Sequence, residues 1–281
     1  MQGTEGRWLQ TCRRRNQFWG LPHWTPAAAG RHLQTRVRQV IAPPLLSIII
    51  PALRVDRELR RCVDSVHLAL ESFTGYEVIV VMPGAHVQSA ADALPDVQIV
   101  AECRPSVYAA MNDGIKASNG QYLYFLGKDD ILLPSVRHLL PTLANERPAA
   151  VFAAVFWGGQ GRRTCRTSRW QILFFNVCHQ GIVYSRNCLD THGPYVRRFR
   201  THGDHLLNIR LLWDTSLAPR ITFASTPIAW YAETGLSSTT LDANFAKVQP
   251  AIIRRYLGTW IAWPWSVLTH YRLRWSKKPR A

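Results

Sequence analysis

From residue 45 onward, short unbroken apolar runs alternate with stretches in which apolar residues recur every three or four positions. Leu45-Leu46-Ser47-Ile48-Ile49-Ile50-Pro51, a β-branched run closed by proline, reads as a buried parallel strand. Leu59, Val63, Val66 and Leu70, spaced by 4, 3 and 4, predict an amphipathic helix. Glu77-Val78-Ile79-Val80-Val81 gives a second strand, ended by Pro83-Gly84. A short helix over 87–94 and a third strand over Val97–Ala101 follow. Val107, Met111, Ile115 and Ser118 are expected to line one face of another helix, stopped by Asn119-Gly120. Tyr122-Leu123-Tyr124-Phe125-Leu126 then forms a fourth strand, which delivers Gly127-Lys128-Asp129-Asp130 at its C-terminal end.

Alternation of this kind predicts an α/β fold, an open parallel sheet covered by helices that binds ligands beyond the strand C-termini. Beyond residue 145 the pattern loosens. Val151–Trp157 is apolar throughout, 158–169 reads as a loop rich in Gly and Arg, Ile182–Tyr184 as a short strand, and Leu206, Ile209 and Trp213 as a helix. Residues 45–145 are therefore expected to be a nucleotide-binding half, and 146–242 a half that completes the sheet and shapes a second pocket.

Charge divides the chain differently. The 34 Lys and Arg against 18 Asp and Glu give +16, but the excess sits at the ends. Residues 1–44 carry seven Arg and one Glu, and 243–281 carry eight Lys or Arg and no acid, so the middle is only +2. A near-neutral body with two cationic ends favours end-specific contact with an anionic surface over a basic groove for nucleic acid, which is not an expected partner. No apolar run reaches the ~18–20 residues that cross a bilayer, and residues 1–40 hold no apolar segment of a secretory leader, so neither is expected. The six cysteines form no C-x-x-C pair; structural zinc has no support, and a reducing cytoplasm is the simpler assumption.

Three places carry candidate chemistry. Asp129-Asp130, at a strand end beside a glycine, can hold Mg²⁺ or Mn²⁺ against a diphosphate, though such a pair also makes a turn or a helix cap. His179-Gln180 sits between the apolar stretch 172–177 and the strand at 182, as a ligand contact or a structural pair. Asp204 opens the helix after Thr201-His202-Gly203, as a reactive carboxylate or a charge favourable to the helix dipole.

Taken in order, these pieces resemble the family-2 inverting glycosyltransferases of the bacterial capsule and colanic-acid type. The resemblance runs from Ser47-Ile48-Ile49-Ile50-Pro51 and Cys62-Val63-Asp64-Ser65-Val66 through Val107–Tyr122 and Phe125–Asp130. It continues through Cys178-His179-Gln180-Gly181, Gly193-Pro194-Tyr195 and Gly203–Leu207 to Pro227–Tyr231 with Gly235-Leu236-Ser237, covering about 45–240. It implies the GT-A fold, with a Rossmann-like, mostly parallel sheet flanked by helices, and sugar transfer from a nucleotide-sugar donor to a glycan or lipid-linked acceptor. In that chemistry Asp204 is the general base, Asp129 with Asp130 the metal side, Pro51, Arg104, Asn112, Lys128 and Asp129 the donor side, and His179 and Gln180 line the acceptor or diphosphate pocket. Three positions depart from the pattern: Met82-Pro83-Gly84 follows the second strand where an acid is usual, Ala109 replaces an Asp, and Gly127 opens the metal motif. The other reading these departures suggest is a non-catalytic relative that binds a glycan or a partner transferase.

The C-terminal segment interleaves Trp260, Trp263 and Trp265 with Arg254, Arg255, Arg272, Arg274, Trp275, Lys277, Lys278 and Arg280. Such a segment suits an anionic membrane surface, the inner face of a bacterial cell membrane. Pro264 is expected to divide it into two short interfacial helices.

Overall fold

The computed structural model describes residues 42–233 and 242–275, with the side chains of 270–275 excepted. The first 41 residues of the predicted basic extension, Gly235-Leu236-Ser237, and Lys277, Lys278 and Arg280 lie outside the described residues.

The expected alternation is present: β1 (Leu46–Pro51), α1 (Arg57–Ala69), β2 (Tyr76–Met82), α2 (Val87–Ala93), β3 (Gln98–Ala101), α3 (Val107–Ala117) and β4 (Tyr122–Phe125). These four strands lie in the order β3-β2-β1-β4, all parallel. Successive residues of β1 face opposite sides, so Ile48 and Ile50 enter one apolar layer with Leu59, Val63 and Val66 of α1. Ile49 enters the other, with Ile79, Val81, Leu123 and Phe125. Burial on both faces is why the strand is apolar without alternation.

α3 buries a different face from the expected one. Tyr108, Ala109, Ala110, Asn112, Asp113 and Gly114 are its buried residues, Met111 and Ile115 are half-buried against the second layer, and Val107 is exposed. Polar groups take the inner face because each finds a partner there, which apolar periodicity does not register. Asn112 Nδ2 donates to the Tyr195 carbonyl at 2.9 Å while its Oδ1 accepts from Tyr195 N at 2.8 Å. The turn out of α3 is held by Glu77 Oε1, which accepts from Asn119 N at 2.6 Å, and by Ser47 Oγ, which accepts from Gly120 N at 2.8 Å. A Cβ on Gly120 would stand 2.3 Å from that oxygen, so only glycine fits.

The second half extends the sheet through β5 (Ile131–Leu132), β6 (Ala150–Trp157), β7 (Arg162–Thr164), β8 (Ile182–Ser185) and β9 (Ile221–Tyr231), completing the order β3-β2-β1-β4-β8-β6-β9-β5 with β7 on β6. β8 is antiparallel to β4 and β6, and β9 is parallel to β6, so the sheet is parallel in its first half and mixed beyond. The expected loop 158–169 contains β7, an all-exposed strand that apolar patterning cannot reveal. α4 (Arg186–His192) and α5 (Gly203–Leu212) cover the second half.

α6 (Ala243–Leu257) and α7 (Thr259–Trp275) close the described chain. The break falls at Gly258, with φ 82°, and α7 continues through Pro264. A proline this near a helix start withdraws one N–H, and the carbonyl it would have served belongs to Trp260, which is 94% exposed and open to water. Phe245, Ile253 and Ala262 join the second apolar layer, and Tyr256 stacks on Trp213 with ring centroids 4.4 Å apart.

Candidate active site

The parallel strands β1, β2 and β4 end at one edge of the sheet. Pro51 closes β1, and Gly127-Lys128-Asp129-Asp130 follows β4 as a turn beside the N-terminus of α1. Arg104 is exposed, three positions beyond β3, off the same edge.

Asp130 points into the protein and is 1% exposed. Its Oδ2 accepts from Gly127 N at 3.0 Å and Gln180 Nε2 at 2.8 Å, and its Oδ1 from Ala232 N at 2.8 Å. Burial pushes its carboxyl up to about 7, against these donors, and the charge of Asp129 adds to the rise. A Cβ on Gly127 would stand 2.5 Å from Asp130 Oδ2. The motif's missing first acid thus has a steric reason: the Asp130 carboxylate folds back over that position.

Asp129 is half-buried, and its backbone carbonyl accepts from Arg61 Nη2 at 3.1 Å. Lys128 turns away from both acids to Asp56 Oδ2 at 2.7 Å and Glu58 Oε2 at 2.5 Å. Asp56 also caps α1, its Oδ1 accepting from Leu59 N at 3.0 Å. Among the described residues no three His, Cys, Asp or Glu side chains form a metal cage. One partly exposed carboxylate suits a hard cation that keeps its waters and bonds to phosphate, rather than one held wholly by protein.

Asp204 lies in the first turn of α5 and is 6% exposed. Tyr108 Oη donates to its Oδ1 at 2.8 Å and Asn176 Nδ2 to its Oδ2 at 2.7 Å. Tyr108 stacks on Tyr195 at 5.3 Å, and Tyr195 Oη meets His179 Nε2 at 2.9 Å. Burial lowers the pKa of His179, with the negative charge of Asp204 opposing. Next in sequence is Gln180, whose Nε2 reaches Asp130 and whose Oε1 accepts from Cys178 Sγ at 3.3 Å. The Cys178 thiol is pushed up by burial first, with Asp130 and Asp204 both contributing. The segment 178–180 therefore lies between the two carboxylates, with Asp130 at one end and Asp204 at the other.

Of the residues singled out from sequence, Asp130, His179, Gln180 and Asp204 are brought together; Asn112 and Lys128 are committed to Tyr195 and to α1. Tyr108, Tyr195 and Asn176 were not singled out. The two tyrosines lay inside recognised motifs, but only their tertiary partners distinguish them from core aromatics; Asn176 has no signal in its neighbours.

Residues 47–201 match the model of glycosyl transferase family 2. The chain is 31% identical over 227 residues to a PGL/p-HBAD biosynthesis glycosyltransferase of Mycobacterium bovis, covering 76% of this chain and 87% of that one. In fold it is similar to the S. aureus TarS 1–349 crystal structure in complex with UDP-GlcNAc, at TM-score 0.59 and 14% identity, covering 79% of this chain and 70% of that one. It is also similar to glucosyl-3-phosphoglycerate synthase from Mycobacterium tuberculosis in complex with Mn²⁺, UDP-glucose and phosphoglyceric acid, at TM-score 0.51 and 18% identity, covering 75% and 79%.

Proposed function

The chain belongs to glycosyl transferase family 2, with the GT-A fold, and from that premise we propose that it moves a sugar with inversion from a nucleotide-sugar donor to a hydroxyl of a glycan or lipid-linked acceptor. The observation that supports this reading is the 178–180 segment, in which Gln180 bonds Asp130 and His179 meets Tyr195, which stacks on Tyr108, the donor to Asp204. The donor's diphosphate lies at the strand edge near Pro51, Arg104, Lys128 and Asp129. Asp204, held by Tyr108 and Asn176, takes the acceptor's proton as its oxygen bonds to the anomeric carbon. The carbon–oxygen bond to the diphosphate breaks, and the diphosphate leaves with the electron pair. Asp129 is the residue that would hold Mg²⁺ or Mn²⁺, whose charge offsets that of the diphosphate; Asp130, with its oxygens engaged by the chain, sets the turn behind it. Gln180 positions Asp130, and His179 lines the acceptor side.

The mycobacterial relatives are named for PGL/p-HBAD biosynthesis, which supports a cell-envelope glycolipid as the product class. Attachment to the inner face of a bacterial cell membrane suits such an acceptor. Supporting it, α7 exposes Trp260, Ile261, Trp263, Val267 and Leu268, and residues 243–281 carry no acid; among the described residues no helix is long and apolar enough to cross a membrane.

Purified protein with a panel of nucleotide sugars, an acceptor extract and Mn²⁺ should release nucleoside diphosphate, and Asp129→Ala and Asp204→Asn should each abolish release. Turnover that survives both substitutions defeats the site assignment. One observation favours a non-catalytic glycan-binding protein: the Gly127–Asp130 lock withdraws one carboxylate from the cleft. Glycan binding without release for any donor would establish it.

A further inference from the structure

α7 turns its apolar residues outward. Trp260, Ile261, Trp263, Val267 and Leu268 are exposed, whereas Ala262 and Thr269 face the protein. Trp265 stands on one flank of the outward face, because it follows Ile261 by four residues and precedes Leu268 by three, in one row along the helix. Phe174 meets Trp265 edge-on, with ring centroids 5.0 Å apart. The next residue, Phe175, is 68% exposed. The apolar surface of α7 therefore continues onto the segment 166–175.

That segment is also tied to α6, and there it is cationic. Trp213 Nε1 donates to the Arg169 carbonyl at 2.7 Å, Trp170 meets Trp213 edge-on at 4.9 Å, and Trp213 stacks on Tyr256 of α6. Trp170 is 48% exposed. The Arg169 guanidinium lies 4.7 Å from the centre of the Trp170 ring and 5.4 Å from that of Trp213, and Arg166 lies 5.4 Å from that of Phe223. Both arginines are exposed, and among the described residues neither is in an ion pair. Residues 147–189 contain no Asp or Glu, so no neighbour in the chain offsets their charge.

Exposed aromatic rings beside guanidiniums suit the headgroup layer of an anionic leaflet, where the ring body is half-immersed and the cation meets phosphate. A nucleic acid fits less well, because the surface runs on into Trp260–Thr269, ten positions without a charge. The surface also ends at the reaction site: Asn176, next after Phe175, donates to Asp204 Oδ2 at 2.7 Å. We propose that Arg166, Arg169, Trp170 and Phe175 form a second contact with an anionic bilayer, continuous with that of α7, so that a lipid-linked acceptor meets Asp204 without leaving its leaflet. The proposal rests on the reading of α7 as a membrane contact.

Hydrogen exchange of the full chain, with and without vesicles of phosphatidylcholine containing phosphatidylglycerol, reads the two contacts separately. The amides of 166–176 and those of α7 should both slow severalfold when vesicles are added. Slowing confined to α7 overturns the proposal and leaves the reading of α7 standing; slowing in neither segment fails that reading and the proposal with it. Slowing of 166–176 that follows protein concentration without vesicles would give the surface to a second copy of the chain, and also overturns it. Each arginine at such a leaflet is worth about fivefold in binding, so the double variant Arg166→Gln, Arg169→Gln should weaken flotation with these vesicles roughly tenfold or more. Should it not fold, Phe175→Ser removes one exposed ring and should lower the bound fraction severalfold. Binding that is unchanged in the folded variant overturns the proposal.

Discussion

Tyr108 and Asp204, 96 positions apart in the chain, meet through a 2.8 Å hydrogen bond in which the phenol donates to the carboxylate. Burial, with the charge of Asp204 adding to it, raises Tyr108 well above the usual phenol range, so the hydroxyl stays a donor at every working pH. The bond joins α3 of the first half of the sheet to α5 of the second, and it fixes the orientation of the carboxylate proposed as base. Tyr108→Phe removes it while keeping the stack on Tyr195. A hydrogen bond to a charged group is worth about 1.5–3 kcal/mol, so kcat should fall on the order of tenfold or more while the KM for the donor holds. Steady-state kinetics with the donor varied would show it; a change in donor KM alone would place Tyr108 in the wrong role.

Gly127 is a departure from the expected metal motif that the structure explains. Supplying the acid that the motif lacks does not restore anything, because the Asp130 carboxylate occupies that space. Gly127→Asp should therefore destabilise the fold by about 1–3 kcal/mol through overpacking beside two existing carboxylates. Gly127→Ala should cost less, having the same clash without the charge. Urea unfolding of the three proteins tests this order, and a Gly127→Asp protein as stable as the parent would show that Asp130 readily vacates its place.

The sheet and its helices were legible wherever burial repeats with a period. β1, β2, β4 and α1 follow the apolar pattern because their buried positions are almost all hydrophobic, Ser47 being the exception in β1. α3 does not: its inner face holds Asn112 and Asp113, which are buried because tertiary partners meet them, and sequence cannot show such partners. β7 escaped for the opposite reason, being all exposed. At the site, carboxylates could be nominated by position, but their roles come from what they touch. Asp129 and Asp130 look interchangeable in sequence, and one is half-exposed while the other is locked by three N–H donors.

α7 makes the membrane proposal measurable. Trp260 is 94% and Trp263 69% exposed, on a helix whose other side meets the core through Ala262 and Trp265. Exposed tryptophans favour a headgroup layer, and each nearby Lys or Arg adds about 1 kcal/mol on an anionic leaflet. The protein should float with phosphatidylglycerol vesicles, weakly or not at all with phosphatidylcholine, and less as salt rises. The double variant Trp260→Ala, Trp263→Ala removes apolar area without touching the core and should lower the bound fraction severalfold. Unchanged flotation of the double variant would move the contact elsewhere on the chain.

His205 sets a pH dependence of stability whose sign follows from its burial. Its folded pKa of about 4 lies below the usual value of 6.5, because the buried ring resists protonation; the bond to the Ile172 carbonyl and the charge of Asp204 act against burial. The stability this contributes is present in full above pH 6.5 and is lost as pH falls through 4. By linkage the loss amounts to about 3 kcal/mol at most. His205→Phe keeps an aromatic ring against Phe245, 4.8 Å away in the parent, but gives up the bond to the Ile172 carbonyl. The variant should therefore be less stable than the parent at pH 7.5, and the gap should close as unfolding is measured at pH 6, 5 and 4. A gap that stays constant over that range would mean that folding leaves the proton affinity of His205 unchanged, as for a ring that reaches water.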